Sequence, residues 1–545
     1  MTRAWRSLLS ALLLPISCAP LTDEPFTKLA AGGAPSETVP PDSPAVSSPK
    51  LAVSAPIVVA EGAGVVELPL RLTEPAQARL SLDYEVTGIE AQQDCQTPDF
   101  EAANGRVEWA IGASEAQVRV WIGDDDLAER DERFEIRVEN PDAAGDVPLG
   151  RIEVVIADND RSALLDAQDL GVSPGETQDQ SRALQDVLDQ AAASGRGVVT
   201  MAPGDYEISS VTLSPGTTLS ADGVRWHRPA LSAADVIALH LNQAGAAQSA
   251  PTLVEGLTID GRRDEQGAYL NHEREEAHLV ELHGDASEGG VARATLERVH
   301  LLSGTASGLF IGPSSDATVC NLSASELWRD ALTLNGGASR LRLRGLNATA
   351  TQGTGLWLGA REAGYGDSYR IDVEAEDLQV GAGDVEIEAS DSSAVTVRRL
   401  TMTQAPLRVD APGGSIRIED SVLVTGIPSV LHNHWALVHD VEVARSTIIA
   451  SESVASGSFD EAARKLTAVS VTSQSFSPGP ASPGKGRLAF TDCHFELAAD
   501  VEADDMAYAV DNPDVDATIV LASTKLDAGF ADWFTPTCVG CSKTD

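Results

Sequence analysis

Residues 331–359 read ALTLNGGASRLRLRGLNATATQGTGLWLG, and a similar short apolar run opens and closes the stretch. Ala331-Leu-Thr-Leu-Asn335 and Gly355-Leu-Trp-Leu-Gly359 each alternate apolar with polar or small residues, as a strand with one buried face does. Leu332 and Leu356 are 24 residues apart, and the beat continues on both sides. Runs of this kind start at Leu309, Leu332, Leu356, Val385, Leu407 and Val430, in steps of 23, 24, 29, 22 and 23. A second series, Val299, Leu322, Leu346, Leu378, Leu400 and Val422, steps by 23, 24, 32, 22 and 22. A step near 23 is too long for a hairpin and has no helix for a βαβ unit. It fits one coil of a parallel β-solenoid, with equivalent strands stacked ~4.8 Å apart. The 32-residue step contains an insertion, Ala360–Tyr369, which would leave the coil as a loop on one face.

Upstream, residues 179–191 place Leu184, Val187, Leu188 and Ala191 on one helical stripe, and Thr177 with Gln180 resembles a capping box. Gly197-Val-Val-Thr200, Pro203-Gly-Asp-Tyr206 and the run Leu213 to Leu219 follow. A short amphipathic helix here can cover the open edge of the first coil. This order resembles the start of the right-handed parallel β-helix of the pectate-lyase superfamily, over roughly residues 165–530. The resemblance implies an all-β fold shared by polysaccharide lyases, hydrolases and phage tailspikes, and it does not choose among them.

Residues 51–160 alternate differently. Val65-Val-Glu-Leu68, Leu80-Ser-Leu-Asp-Tyr84, Val118-Arg-Val-Trp-Ile122 and Phe134-Glu-Ile-Arg-Val138 are separated by Gly62, Gly64, Gly105, Gly112 and Pro141. These are the marks of an antiparallel β-sandwich. Between two of the runs lies IGDDDLAERDERF, residues 122–134, with six carboxylates in thirteen residues. Crowded like charges call for solvent or for a cation. Glu61-Gly62, Asp99-Phe100, IGDDDLAERDERF and Ile156-Ala-Asp-Asn-Asp160, in that order, resemble a Calx-β domain, a calcium-sensing sandwich. The resemblance implies Ca2+ held by Glu61, Asp124, Asp125, Glu129, Glu132, Asp158 and Asp160. Asp126 and Asp131 are expected to face solvent or cap turns. The chemistry agrees, because calcium takes six to eight oxygens, which loops converging at one end of a sandwich can supply.

The 545-residue chain carries a formal net charge of −43, which argues against a nucleic-acid partner. MTRAWRSLLSALLLPISCAP, residues 1–20, reads as an export signal with a basic end and an apolar core too short to span a bilayer. Leu14-Pro-Ile-Ser-Cys18 resembles a bacterial lipoprotein box, which implies a signal peptide over 1–18 and a membrane anchor on Cys18; ordinary cleavage after Ala19 is the alternative. Residues 19–50 form a Pro/Ser/Ala/Thr-rich tether, and 531–545 a C-terminal tail. Five further cysteines remain: Cys95, Cys320, Cys493, Cys538 and Cys541. Cys320 and Cys493 lie about seven coils apart in this reading, roughly 34 Å, so they are expected not to be bonded to each other, each being a small buried wall residue. Cys538-Val-Gly-Cys541 lacks the further ligands of a zinc site.

No opposed carboxylate pair or hydrolase motif set stands out, and His283-Gly284 occurs alone. The polar clusters are Asp260-Gly-Arg-Arg-Asp264 with His272, His278 and His283; Trp328-Arg-Asp330; Arg361, Glu362 and Tyr365; and His432-Asn-His-Trp435. Arg329, Asp330 and Arg361 are the candidate catalytic residues, since coils would bring 329 and 361 to one face and arginine can hold a uronate carboxylate. No cofactor-binding residue other than the calcium ligands is expected. The sequence therefore points to an exported, lipid-tethered surface protein. It would recognise or process polysaccharide, with a lyase favoured over a hydrolase if it is catalytic, and a noncatalytic adhesin as the alternative.

Overall fold

The computed structural model describes residues 50–543 apart from 53–54, 90–97, 140–147, 230–237, 243–250, 266–276, 285–290, 337–338, 350, 352, 360–369, 382, 390–392, 404–406, 411–413, 428–430, 434–439, 456–469, 473–486, 498–508, 512–517, 523–524, 527–537 and 540–541. The leucines of the first series stack. Leu309 pairs in parallel with Leu332, Leu332 with Leu356, Leu356 with Val385 and Val385 with Leu407. They belong to an 11-stranded parallel sheet running from Val211–Thr212 to Ala509–Asp511. A second, 21-stranded sheet carries the other two sides of each coil, with strands such as Ser315–Ser325 and Ser339–Thr349 that bend midway. The result is a right-handed parallel β-helix filled by one continuous apolar core.

The bend explains the second series. Asn321, Gly345, Asp377, Arg399, Asp420, Arg445 and Asp492 all have φ between 50° and 74°. One left-handed residue turns the strand, and the next side chain points back inside, where Leu322, Leu346, Leu378 and Leu400 are buried and in register. Opposite charges meet along this corner. Arg399 donates to both oxygens of Asp377 (2.6 and 2.9 Å), and Arg445 to both of Asp420 (2.7 and 2.8 Å). Gly345 is the corner position best suited to test the bend, because an added Cβ would lie 2.8 Å from Asn321 Oδ1 at φ +74°. Gly345→Ala is expected to lower stability in urea by about 1–2 kcal/mol, and no loss would contradict a left-handed corner there.

The beat slips where the buried residue is polar. Ser421, not Val422, takes the inward place beside Leu400, whose N–H donates to Ser421 Oγ (3.1 Å); Val422 is 39% exposed. Val430 lies outside the described residues, and Leu431 is the partner of Leu407. Ser446 and Cys493 continue the Ser421 column, with the Ser421 N–H donating to Ser446 Oγ (3.1 Å) and the Cys493 thiol to Val443 O (3.3 Å). Cys493 is thus a free buried thiol and is not joined to Cys320. One correction follows. Leu322 and Cys493 are six coils apart, through Leu346, Leu378, Leu400, Ser421 and Ser446. Cys320 is buried, as expected of a wall residue, and is disulfide-bonded; it sits in register with Glu297 and Arg344. Cys18 and Cys95 lie outside the described residues, as do Arg361 and His272.

The helix Ser181–Ala193 covers the first coil with Leu184, Val187, Leu188 and Ala191, and packs so closely that a Cβ on Gly197 would meet Ala191 O at 2.5 Å. The expected capping box does not form. Gln180 is the N-cap, but its side chain bonds the N–H and C=O of Ser173 instead (both 2.9 Å).

Residues 51–160 fold around a separate core containing Trp109, Phe134 and Val154. Five strands lie in the order Ile57–Ala60, Pro148–Ala157, Glu132–Glu139, Leu80–Gly88, Asn104–Trp109, and Gly64–Arg71 pairs with Glu115–Ile122. The sandwich departs from pure antiparallel order at one edge, where Ile57–Ala60 runs parallel to Pro148–Ala157.

Candidate functional site

That parallel edge places the first acidic residues. Ala60 and Ala157 are register partners, so Glu61 and Asp158 leave neighbouring strands side by side, and the Gly62 N–H reaches Gly123 O (2.5 Å) to bring in the segment after Ile122. Gly62 is required there: at φ +71° a Cβ would lie 2.5 Å from Asp124 Oδ1. The Glu61 carboxylate accepts from the N–H groups of Asp125 and Asn159 (both 3.3 Å), and Asn159 Nδ2 donates to Asp124 Oδ1 (3.2 Å). Asp125 accepts from Leu127 N–H (2.7 Å). Burial, reinforced by Asp125 and Asp158, pushes Glu61 up to about 7. Burial, reinforced by Asp99, Asp126 and Asp160, pushes Asp125 up to about 6, and burial raises Asp158 too. A second focus adjoins it. Asp99, Glu129 and Glu132 bring one carboxylate oxygen each within 4.8 Å of one another.

Of the expected ligands, Glu61, Asp124, Asp125 and Asp158 therefore converge, and Glu129 and Glu132 join Asp99. Asp99 was missing from the expected set. Its signal was its place at the same sandwich end, which the intruding Cys95 and Pro98 obscured in the sequence. Asp160 pairs with Arg196 of the β-helix, and its charge also acts on Asp125. Asp126 and Asp131 are exposed, as expected, and also reach Arg293 (3.7 Å) and Arg161 (2.7 Å). The same segment docks on the β-helix. Arg130 pairs with Asp222 (2.5 Å) and Glu255 (3.7 Å), and Ala128 O accepts from Thr218 Oγ1 (2.5 Å).

A different chemistry lines the outer face of the 11-stranded sheet. His240, Glu281, Phe310, Thr333, Trp357 and Glu386 are successive register partners, one per coil. Glu281 lies between two imidazoles, with His240 Nδ1 and His283 Nδ1 each 3.6 Å from one of its oxygens. His278, 5% exposed, stacks on Phe310 with ring centroids 4.5 Å apart and 8° between planes. Two coils above Phe310, Trp357 buries its indole N–H with no hydrogen-bond partner among the described residues. Asp330 is buried, accepting from Thr333 Oγ1 (2.8 Å), the Thr354 N–H (2.9 Å) and Ser307 Oγ (3.4 Å). Arg329 is close enough for its charge to act on His278. Arg262 is bidentate to Glu207 (2.7 and 3.1 Å), and Arg263 donates to Glu326 O (2.9 Å), so that arginine cluster braces the fold.

Burial lowers the His278 pKa to about 4, with Glu281 opposing and Arg329 adding to the fall. An imidazole held neutral in the folded state is protonated first in the unfolded one, so stability is lost as pH falls from about 6.5 towards 4. His278→Phe keeps the stack without the titration. Wild type is expected to lose about 2–3 kcal/mol more than this variant between pH 6.5 and 4 in urea melts. Parallel profiles would contradict the assignment.

Residues 50–160 match the Calx-beta domain family. The crystal structure of CBD12 from CALX1.2 is 27% identical with a TM-score of 0.17, over 20% of this chain and 44% of that one, so this chain spans less than half of that relative. The Azotobacter vinelandii mannuronan C-5 epimerase AlgE4 A-module is 14% identical with a TM-score of 0.41, over 70% of this chain and 97% of that module. The Yersinia enterocolitica family 28 exopolygalacturonase is 10% identical with a TM-score of 0.38, over 91% and 97%. No curated protein matches the chain. The Calx-beta domain thus precedes a parallel β-helix in one polypeptide.

Proposed function

We propose that this protein is an exported, calcium-binding surface protein that holds polysaccharide on the outer face of its short sheet. One observation carries the glycan reading: Phe310, backed by His278, and Trp357 stand in one column two coils, or about 9.6 Å, apart, with Glu281, Thr333 and Glu386 beside them. Aromatic faces stack on the apolar faces of sugar rings, and the carboxylates of Glu281 and Glu386 take sugar hydroxyls. In the Calx-beta domain, Glu61, Asp124, Asp125 and Asp158 with Asp99, Glu129 and Glu132 would hold calcium. The donor set is all oxygen and crowded with negative charge, which suits a hard cation. Bound calcium would supply positive charge that lets these carboxylates stay ionised together.

Turnover is a second reading, favoured by Glu281 between two imidazoles, a set of groups able to move a proton. Incubating the purified chain with uronans and neutral glycans separates the readings. Retention without new ends supports binding, and new ultraviolet absorbance from unsaturated ends supports a lyase. Neither retention nor turnover on any polysaccharide, with Trp357→Ala indistinguishable from wild type, would defeat the proposal. Lipid anchoring at Cys18 belongs to the same reading; radiolabelled fatty acid should enter the wild-type chain in bacteria and not Cys18→Ala.

A further inference from the structure

The acidic end of the Calx-beta domain and its seat on the β-helix are built from one stretch of chain. Along residues 124–132, calcium-ligand candidates alternate with residues that touch the β-helix. Asp124 and Asp125 are tied to Glu61, through Asn159 and directly. Asp126 then reaches Arg293 (3.7 Å), and Ala128 O accepts from Thr218 Oγ1 (2.5 Å). Glu129 and Glu132 meet Asp99 within 4.8 Å, and Arg130 between them pairs with Asp222 (2.5 Å) and Glu255 (3.7 Å). Leu127 and Ala128 are 5% and 4% exposed, yet they belong to neither apolar core. The other acidic segment ends in the same way. Arg161 donates to Glu129 O (2.8 Å) and to Asp131 (2.7 Å), and Asp160 pairs with Arg196 of the first coil. Consecutive Cα atoms are fixed ~3.8 Å apart, so residues 126–130 cannot shift on the β-helix without moving the carboxylates at 125, 129 and 132.

We propose that this dock positions the calcium ligands, so that calcium affinity and the seating of the Calx-beta domain on the β-helix are coupled. The proposal rests on the calcium reading above. Arg130 and Thr218 act as positioning residues: they hold the backbone on either side of Glu129 and are not themselves ligands. Coupling between two sites is reciprocal, so whatever the dock adds to calcium affinity, calcium adds to the dock. Charge alone gives the opposite sign. Removing Arg130 takes a cation away from the acidic end and leaves Asp222 and Glu255 to Arg298, which would draw a divalent cation more strongly.

Two measurements on the full chain test this. Calorimetry reads the calcium dissociation constant, and hydrogen exchange reads the strand Thr218–His227, which lies in the β-helix and carries no ligand candidate. Arg130→Ala is expected to weaken calcium about fivefold or more. Thr218→Val changes no charge and should weaken it in the same direction. Arg133 pairs with Glu153 inside the Calx-beta domain (3.1 Å), so Arg133→Ala deletes the same charge one residue from Glu132 and should bind calcium at least as tightly as wild type. Calcium should slow exchange in Thr218–His227 of the wild type and not of Arg130→Ala. If Arg130→Ala and Thr218→Val bind calcium as well as or better than wild type, or if that exchange is indifferent to calcium, the coupling is overturned and the calcium reading stands. No calcium binding by the wild type would defeat both.

Discussion

Arg298→Ala is expected to destabilise the β-helix by about 3–5 kcal/mol, the scale for stripping the partner from a buried charge. Arg298 reaches Glu297, Glu255 (3.0 Å) and Asp222 (3.5 Å) from the first coils, where Arg130 of the Calx-beta domain also docks. Glu255 is 7% exposed. Burial raises its pKa, while Ser220, Arg130 and Arg298 pull it back down. Burial also works against the Arg298 charge, but Glu297, Glu255 and Asp222 outweigh it and hold that pKa above the usual value. Without Arg298, three carboxylates face one another with Arg130 alone. Glu255→Gln added to Arg298→Ala should return part of the loss, so the two substitutions should be non-additive in urea unfolding. A single-variant loss under about 1 kcal/mol would show that solvent already screens the cluster.

Calcium is expected to raise the melting temperature of the Calx-beta domain. A ligand bound only by the folded state adds about 2.7 kcal/mol at a hundredfold excess over its dissociation constant, and each kcal/mol is about 4–8 °C for a domain of this size. Its core is separate from that of the β-helix, so calorimetry can follow it as its own transition. Chelator should reverse the rise, and Glu129→Gln with Glu132→Gln should abolish most of it by removing two of the three carboxylates that meet within 4.8 Å. Equal rises in wild type and the double variant would place the ion elsewhere or leave only screening.

The coils were legible because the chain repeats an apolar residue just after each left-handed corner, as at Leu322, Leu346 and Leu378. The reading slipped at Ser421 because its hydroxyl is satisfied inside the stack by backbone, so a buried position there carries no apolar mark. The acidic end was legible because its carboxylates cluster within short loops. The ion pair of Asp160 was not legible, because its partner, Arg196, belongs to the next fold unit. The short-sheet column was harder. His278 and Phe310 are 32 residues apart in the chain and meet only once the coils are in register. Asp330 looked reactive in sequence, beside Trp328 and Arg329, yet its oxygens are engaged by Ser307, Thr333 and Thr354.

Hydroxyl-radical footprinting at Phe310 and Trp357, with and without the polysaccharide that the chain retains best, measures the glycan face most directly. Both rings should lose reactivity together on binding, while the exposed Ile111 of the Calx-beta domain stays unchanged. Retention of the polysaccharide with both rings as reactive as before would contradict a glycan-binding face on the short sheet.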